Sequence, residues 1–131
     1  MIPAYLLDAS ACIRVLRNQS GLDQLPDPAL TGIPVIVAAE LWTGVEKNLD
    51  THPHQADRLE EFLSLFWMVE FTAKAARHYG QIRAALEATG HTIGPLDLLI
   101  AAQARSLDAT LITRNAREFK RVKGLKVQDW K

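Results

Sequence analysis

The sequence predicts an α/β fold, a mainly parallel sheet covered on both faces by helices. Three observations lead there. Short apolar or β-branched runs recur along the chain, "AYLLD", "IPVIV" and "ATLIT", as expected of strands buried on both faces. Longer stretches between them carry apolar residues at helical spacing, such as Leu59, Phe62, Leu63 and Phe66. Strand and helix alternate, an order that right-handed crossovers convert into a parallel sheet. At 131 residues the chain suffices for one hydrophobic core and is short for two, so a single domain over 1–131 is expected.

Each element follows in order. "AYLLD" is a strand ending at Asp8, and "ASACIRVLRNQ" continues as a helix. "GLDQLPDPALTG", rich in Pro, Gly and Asp, is a turn-laden connection with at most a stub of helix. "IPVIV" is a buried strand, residues 33–37, and "AAELWTGVEKN" the helix after it. "QADRLEEFLSLF" and "AKAARHYGQIRAALEATG" are amphipathic helices, the second stopped by Gly90, and they flank "WMVEF", an edge strand. Pro95 suits the first position of the helix "PLDLLIAAQARSL". "ATLIT" is another buried strand, "NAREFKRV" a short helix over 115–122, and "LKVQD" a closing strand.

Composition narrows the function. No apolar run is long enough to span a membrane, and "MIPAYLLDAS" lacks a basic leader, so a cytoplasmic protein with no membrane partner is expected. Cys12 has no second cysteine to pair with and no zinc spacing around it, which leaves it a small core residue. The formal net charge is zero but unevenly spread. Residues 1–70 hold four Lys/Arg against ten Asp/Glu, whereas residues 114–131 hold seven against two. Such a basic segment is either a solvated surface or a face for phosphate, with Arg114, Arg117 and Lys120 the candidate nucleic-acid contacts.

In a parallel sheet, sites form at the carboxyl ends of strands. Asp8 ends the first strand, Glu40 and Asp97 fall in the first turns of two helices that follow, and Asn115 comes just after "ATLIT". Taken singly, each acid has an ordinary explanation as a helix cap or a partner of the helix dipole. Together they would repel one another, because no Lys, Arg or His lies within four residues of Asp8, Glu40 or Asp97. A hard divalent cation, Mg²⁺ or Mn²⁺, suits such an oxygen-rich set. Ser10 and Thr113 lie near the strand ends and are placed to hydrogen-bond Asp8 or a phosphate. Glu118, one helical turn after Asn115, either joins the site or serves as a first-turn acid on a basic helix. Removing one of the clustered charges, as in Asp8→Asn or Asp97→Asn, is expected to relieve repulsion and raise thermal stability.

The blocks "LLDASACIRVL", "VIVAAELWTGVEK", "IGPLDLLIAAQARSLDATLIT" and "NAREFKRVKGLKVQDW" resemble, in order and nearly end to end, those of the PIN-domain family, above all its VapC-type toxin branch. The resemblance implies a three-layer α/β/α sandwich and Mg²⁺-dependent endonucleolytic cleavage of RNA. It also implies a homodimer restrained by a cognate VapB-type antitoxin. Asp8, Glu40 and Asp97 fall on the three core acidic positions, with Asp8 and Asp97 as direct metal ligands. Asn115 falls on the fourth, where the wider family usually has Asp, which leaves a second metal position open. The family's substrates include transfer, ribosomal and messenger RNA.

Other functions fit less well. A phosphoaspartate receiver needs a second acid beside Asp8 and a lysine after the last core strand, where Arg114 stands. A haloacid-dehalogenase-type phosphatase needs an Asp at position 10, which is Ser10. The remaining alternative is a PIN-like module that binds RNA or protein and has lost turnover, a possibility raised by Asn115. The four histidines have no visible catalytic partner, and Trp42 and Trp67 suit packing or an interface better than base stacking.

Overall fold

The computed structural model describes residues 2–18 and 21–130. Five strands, β1 (Tyr5–Leu7), β2 (Thr31–Pro34), β3 (Trp67–Val69), β4 (Thr110–Thr113) and β5 (Lys126–Asp129), form one sheet in the order β3-β2-β1-β4-β5. Every pairing is parallel. Around the sheet pack α1 (Ala9–Asn18), α2 (Val35–Lys47), α3 (Gln55–Leu63), α4 (Ala73–Thr89), α5 (Pro95–Ser106) and α6 (Ala116–Phe119). This is the expected α/β class. No helix among the described residues is long and apolar enough to cross a membrane.

The chain builds outward from β1 through β2 to β3, then crosses to the other side of β1 to lay down β4 and β5. Connections therefore leave β1 and β4 in opposite directions, and the crevice opened at their carboxyl ends is where such sheets bind ligands. The core beneath it is apolar: Leu6, Leu7, Ile33, Ile100, Leu111, Ile112 and Phe119 are all but fully buried. Cys12 lies among them, its thiol pushed well above the ordinary range by burial and then by the nearby Asp8 charge.

Most elements fall where periodicity puts them. Gly90 ends α4 in the left-handed region at φ 71°, Pro95 opens α5, and β3 is an edge strand with Trp67 and Met68 nearly half exposed. The Trp67 indole N–H donates to Ala29 O at 2.8 Å. The segment at 21–30 holds two short 3₁₀ turns, Gly21–Gln24 and Pro28–Leu30.

Two boundaries differ. The second strand was expected at 33–37 but runs Thr31–Pro34, and Val35 to Val37 already belong to α2. Pro34 lacks the N–H that a longer ladder would use, and at the head of a helix that N–H is not missed. Burial of Val37, Ala38, Leu41 and Val45 then follows the helical period. The last helix is confined to Ala116–Phe119, because the chain must turn back through Gly124, at φ 83°, to enter β5.

Gly32 shows how tightly β2 is held. A Cβ there would stand 2.6 Å from Val69 Cγ2, 3.1 Å from Leu6 Cδ2 and 3.2 Å from Pro3 Cγ. Gly32→Ala is accordingly expected to cost about 1–3 kcal/mol, read as a lower urea midpoint at unchanged slope. An unaltered midpoint would mean that β3 can move away freely.

Candidate active site

Asp8 follows β1 directly and is 3% exposed. Its Oδ1 accepts from Ala11 N–H at 2.9 Å and from Ser10 Oγ at 2.6 Å, while Oδ2 accepts from Thr113 Oγ1 at 2.5 Å. The bond to Ala11 is that of a residue capping α1. The bond to Thr113 ties the same carboxylate to the last residue of β4, so Asp8 is both a helix cap and a member of the cluster at the sheet edge. Ser10 and Thr113 thus stand where the sequence placed them, against Asp8.

Glu40 differs from expectation in position. Because α2 begins at Val35, Glu40 lies in the second turn of the helix, and no acid occupies the first. The dipole and free N–H groups of a helix start therefore do not account for it, since their influence fades within the first turn. Its Oε1 is buried and has no hydrogen-bond partner among the described residues. Burial raises its pKa, and the charges of Asp97 and then Asp8 raise it further. Glu40 also borders a groove of about 400 Å³ between α1, α2 and α3.

Asp97 occupies the first turn of α5, as expected. Its carboxyl is raised to about 6, first by burial, then by Asp8 and Glu118. Glu118 is thereby brought into the cluster. Its Oε2 accepts from Asn115 Nδ2 at 2.9 Å, so the amide at position 115 orients a carboxylate one turn further on. Asn115 N–H in turn donates to Thr113 Oγ1 at 2.8 Å.

Among the described residues these carboxylates have no cationic partner within the cluster. Among the described residues the ion pairs are Arg83–Glu87 and Lys126–Asp108, both elsewhere. Nor do any three acidic, His or Cys side chains among those residues stand close enough, as placed, to share one ion. The donor set fits a hard divalent cation: oxygen atoms only, one of them a buried orphan, and two carboxyl groups whose ionisation is opposed by their neighbours. Asp8, Glu40 and Asp97 bring these oxygens to one edge of the sheet, with Glu118 near enough to act on Asp97.

Arg114, Arg117 and Lys120 are all exposed, on or next to α6. Arg114 N–H donates to Ser10 Oγ at 2.9 Å, which sets this basic segment against the cluster. Arg121 was not singled out by the sequence. Its guanidinium donates to Thr92 O at 3.2 Å and so ties the end of the same segment to the loop before Asp97, a contact with no sequence signal because the two residues are distant along the chain.

Comparison with known proteins follows the same lines. The PIN domain profile matches residues 5–125. Ribonuclease VapC2 of Rickettsia felis is 37% identical, the match covering 96% of this chain and 97% of that protein. The tRNA(fMet)-specific endonuclease VapC of Shigella flexneri is 36% identical over the same shares. Among solved structures, VapBC of Salmonella typhimurium bound to DNA matches with a TM-score of 0.90 at 32% identity, over 100% of both chains. VapBC2 of Rickettsia felis bound to a promoter DNA fragment matches at 0.88 and 35%, over 97% of this chain and 98% of that one.

Proposed function

This chain belongs to the PIN-domain family, and from that premise we propose that it is a divalent-metal-dependent endoribonuclease, the toxin of a VapBC-type pair. The observation that carries this reading is the gathering of Asp8, Glu40 and Asp97 at the carboxyl edge of a parallel sheet, with no neutralising cation among the described residues. Relatives named as ribonucleases, and structural neighbours that are VapBC complexes, support it. The partners we assign are an RNA substrate, a VapB-type antitoxin and a second copy of the chain.

Mg²⁺, or Mn²⁺ in its place, would be held by Asp8 and Asp97 with Glu40 close by, and would supply an acidified water and a counter-charge for the phosphodiester. The chain's own contribution is placement. Ser10 and Thr113 fix both oxygens of Asp8, and Asn115 orients Glu118 towards Asp97. Arg114, Arg117 and Lys120 offer the phosphates an exposed cationic approach. Asn115 does not argue for a module without turnover, because its amide serves a carboxylate that stands one turn away.

The direct test is incubation with RNA in Mg²⁺ or Mn²⁺ and in excess EDTA, followed by mapping of new 5′ ends. Transfer RNA is the first substrate to try, since one relative is named for tRNA(fMet). Cleavage is expected only with the ion, and undiminished cleavage in EDTA would sink the reading. Replacing Arg114, Arg117 and Lys120 by Ala should weaken RNA binding and flatten its salt dependence, by about 0.7 in log–log slope for each lost contact with a single strand. If the slope stays unchanged, the basic face serves something other than RNA.

A further inference from the structure

The two hydroxyl groups beside Asp8 are used in the same way. Ser10 Oγ donates to Asp8 Oδ1 at 2.6 Å and accepts from Arg114 N–H at 2.9 Å. Thr113 Oγ1 donates to Asp8 Oδ2 at 2.5 Å and accepts from Asn115 N–H at 2.8 Å. A hydroxyl has a single proton and an ionised carboxylate only accepts, so the direction of both chains is forced, from backbone N–H through hydroxyl to carboxylate. The hydroxyls come from α1 and β4, far apart in sequence, and their oxygens are 3.4 Å apart.

We infer that Ser10 and Thr113 are positioning residues that make Asp8 the anchor of the β4–α6 junction, so that the carboxylate assigned to the cation also sets where Arg114 and Asn115 stand. The consequence for RNA cleavage rests on the nuclease reading above. The anchoring itself does not.

The two hydroxyls are not equivalent. Oδ1 accepts from both Ser10 and Ala11 N–H, whereas among the described residues Oδ2 accepts from Thr113 alone. A carboxylate offers about four acceptor sites, so the one left over lies on Oδ2, the oxygen free to meet a cation. Removing the Ser10 hydroxyl releases Arg114 N–H but leaves Oδ1 held by Ala11. Removing the Thr113 hydroxyl releases Asn115 N–H and unseats Oδ2 itself. Ser10 therefore governs chiefly the basic loop, and Thr113 chiefly the reacting carboxylate.

The test compares Ser10→Ala, Thr113→Val, which keeps the buried shape, and Thr113→Ser, which keeps the hydroxyl. Amide hydrogen exchange of the full chain in EDTA should show Arg114 N–H exchanging about tenfold faster in Ser10→Ala with Asn115 unaffected, and the reverse in Thr113→Val. With Mg²⁺ and the RNA fragment identified by 5′-end mapping, Ser10→Ala should raise KM about tenfold at nearly constant kcat, whereas Thr113→Val should lower kcat. Thr113→Ser should restore exchange protection and kcat. Unchanged protection of both amides in both variants overturns the inference, as does a Thr113→Ser protein as impaired as Thr113→Val. If the parent chain cleaves no RNA, the nuclease reading fails while the exchange data still decide the anchor. If it cleaves RNA and the exchange is unmoved, the anchor alone fails.

Discussion

Asp97→Asn is expected to abolish RNA cleavage, a loss of about a thousandfold or more, while making the protein more stable in chelator. The two effects have one source. Burial, Asp8 and Glu118 raise the Asp97 carboxyl from 3.8 to about 6, so at neutral pH the folded protein carries a charge its surroundings oppose. Asparagine keeps the shape and removes that charge, for a gain of about 1–2 kcal/mol after solvent screening, or roughly 3–8 °C in Tm. Between pH 3.8 and about 6 the folded state binds more protons than the unfolded state, so in chelator the parent's stability falls as pH rises through that window. The advantage of Asp97→Asn is therefore full at pH 7 and gone near pH 4. Millimolar Mn²⁺ should raise the Tm of the parent more than that of the variant, because the variant lacks one of the two carboxylates assigned to the ion. Melting curves across pH, with and without Mn²⁺, check each part. A variant less stable than the parent at pH 7 in EDTA would make Asp97 a structural cap.

Asp8→Asn should lose cleavage to a similar extent but shift stability in the opposite direction. Relief of repulsion alone predicts a gain for both substitutions, and for Asp8 the hydrogen bonds to its carboxylate argue for the opposite sign. Asp8 is 3% exposed and accepts three hydrogen bonds, from Ala11 N–H, Ser10 and Thr113. An asparagine accepts through one oxygen only, and its NH₂ would face a hydroxyl that now donates. At least one of those donors loses its acceptor, at an expected cost of about 1–3 kcal/mol in a buried position. Chemical denaturation in EDTA distinguishes the outcomes. Equal gains for Asp8→Asn and Asp97→Asn would mean that the bonds around Asp8 contribute nothing net.

Much of this protein is determined locally, and that part was legible in its residues. Alternating apolar runs and helical periods determine the α/β class, because burial on one face or both is written into side-chain spacing. The stop at Gly90 and the start at Pro95 follow from the backbone preferences of those two residues alone. The carboxylates Asp8, Glu40 and Asp97 stood out because charge at strand-to-helix junctions, without nearby cations, is a local pattern. What needed the tertiary structure was everything set by residues distant in sequence. "IPVIV" satisfies strand and helix alike, and only the packing of Gly32 against Leu6, Pro3 and Val69, with Pro34 closing the strand, assigns its valines to α2 and Glu40 to the second turn. Glu118 alone resembles a helix-start acid, and its place in the cluster depends on the crossover that lays β4 beside β1. Asp8 likewise resembles a simple cap until Thr113, more than a hundred residues later, donates to its other oxygen. The period of a sequence determines which face of an element is buried, but which side chains meet across the sheet depends on strand order, and strand order depends on how all the buried faces pack at once.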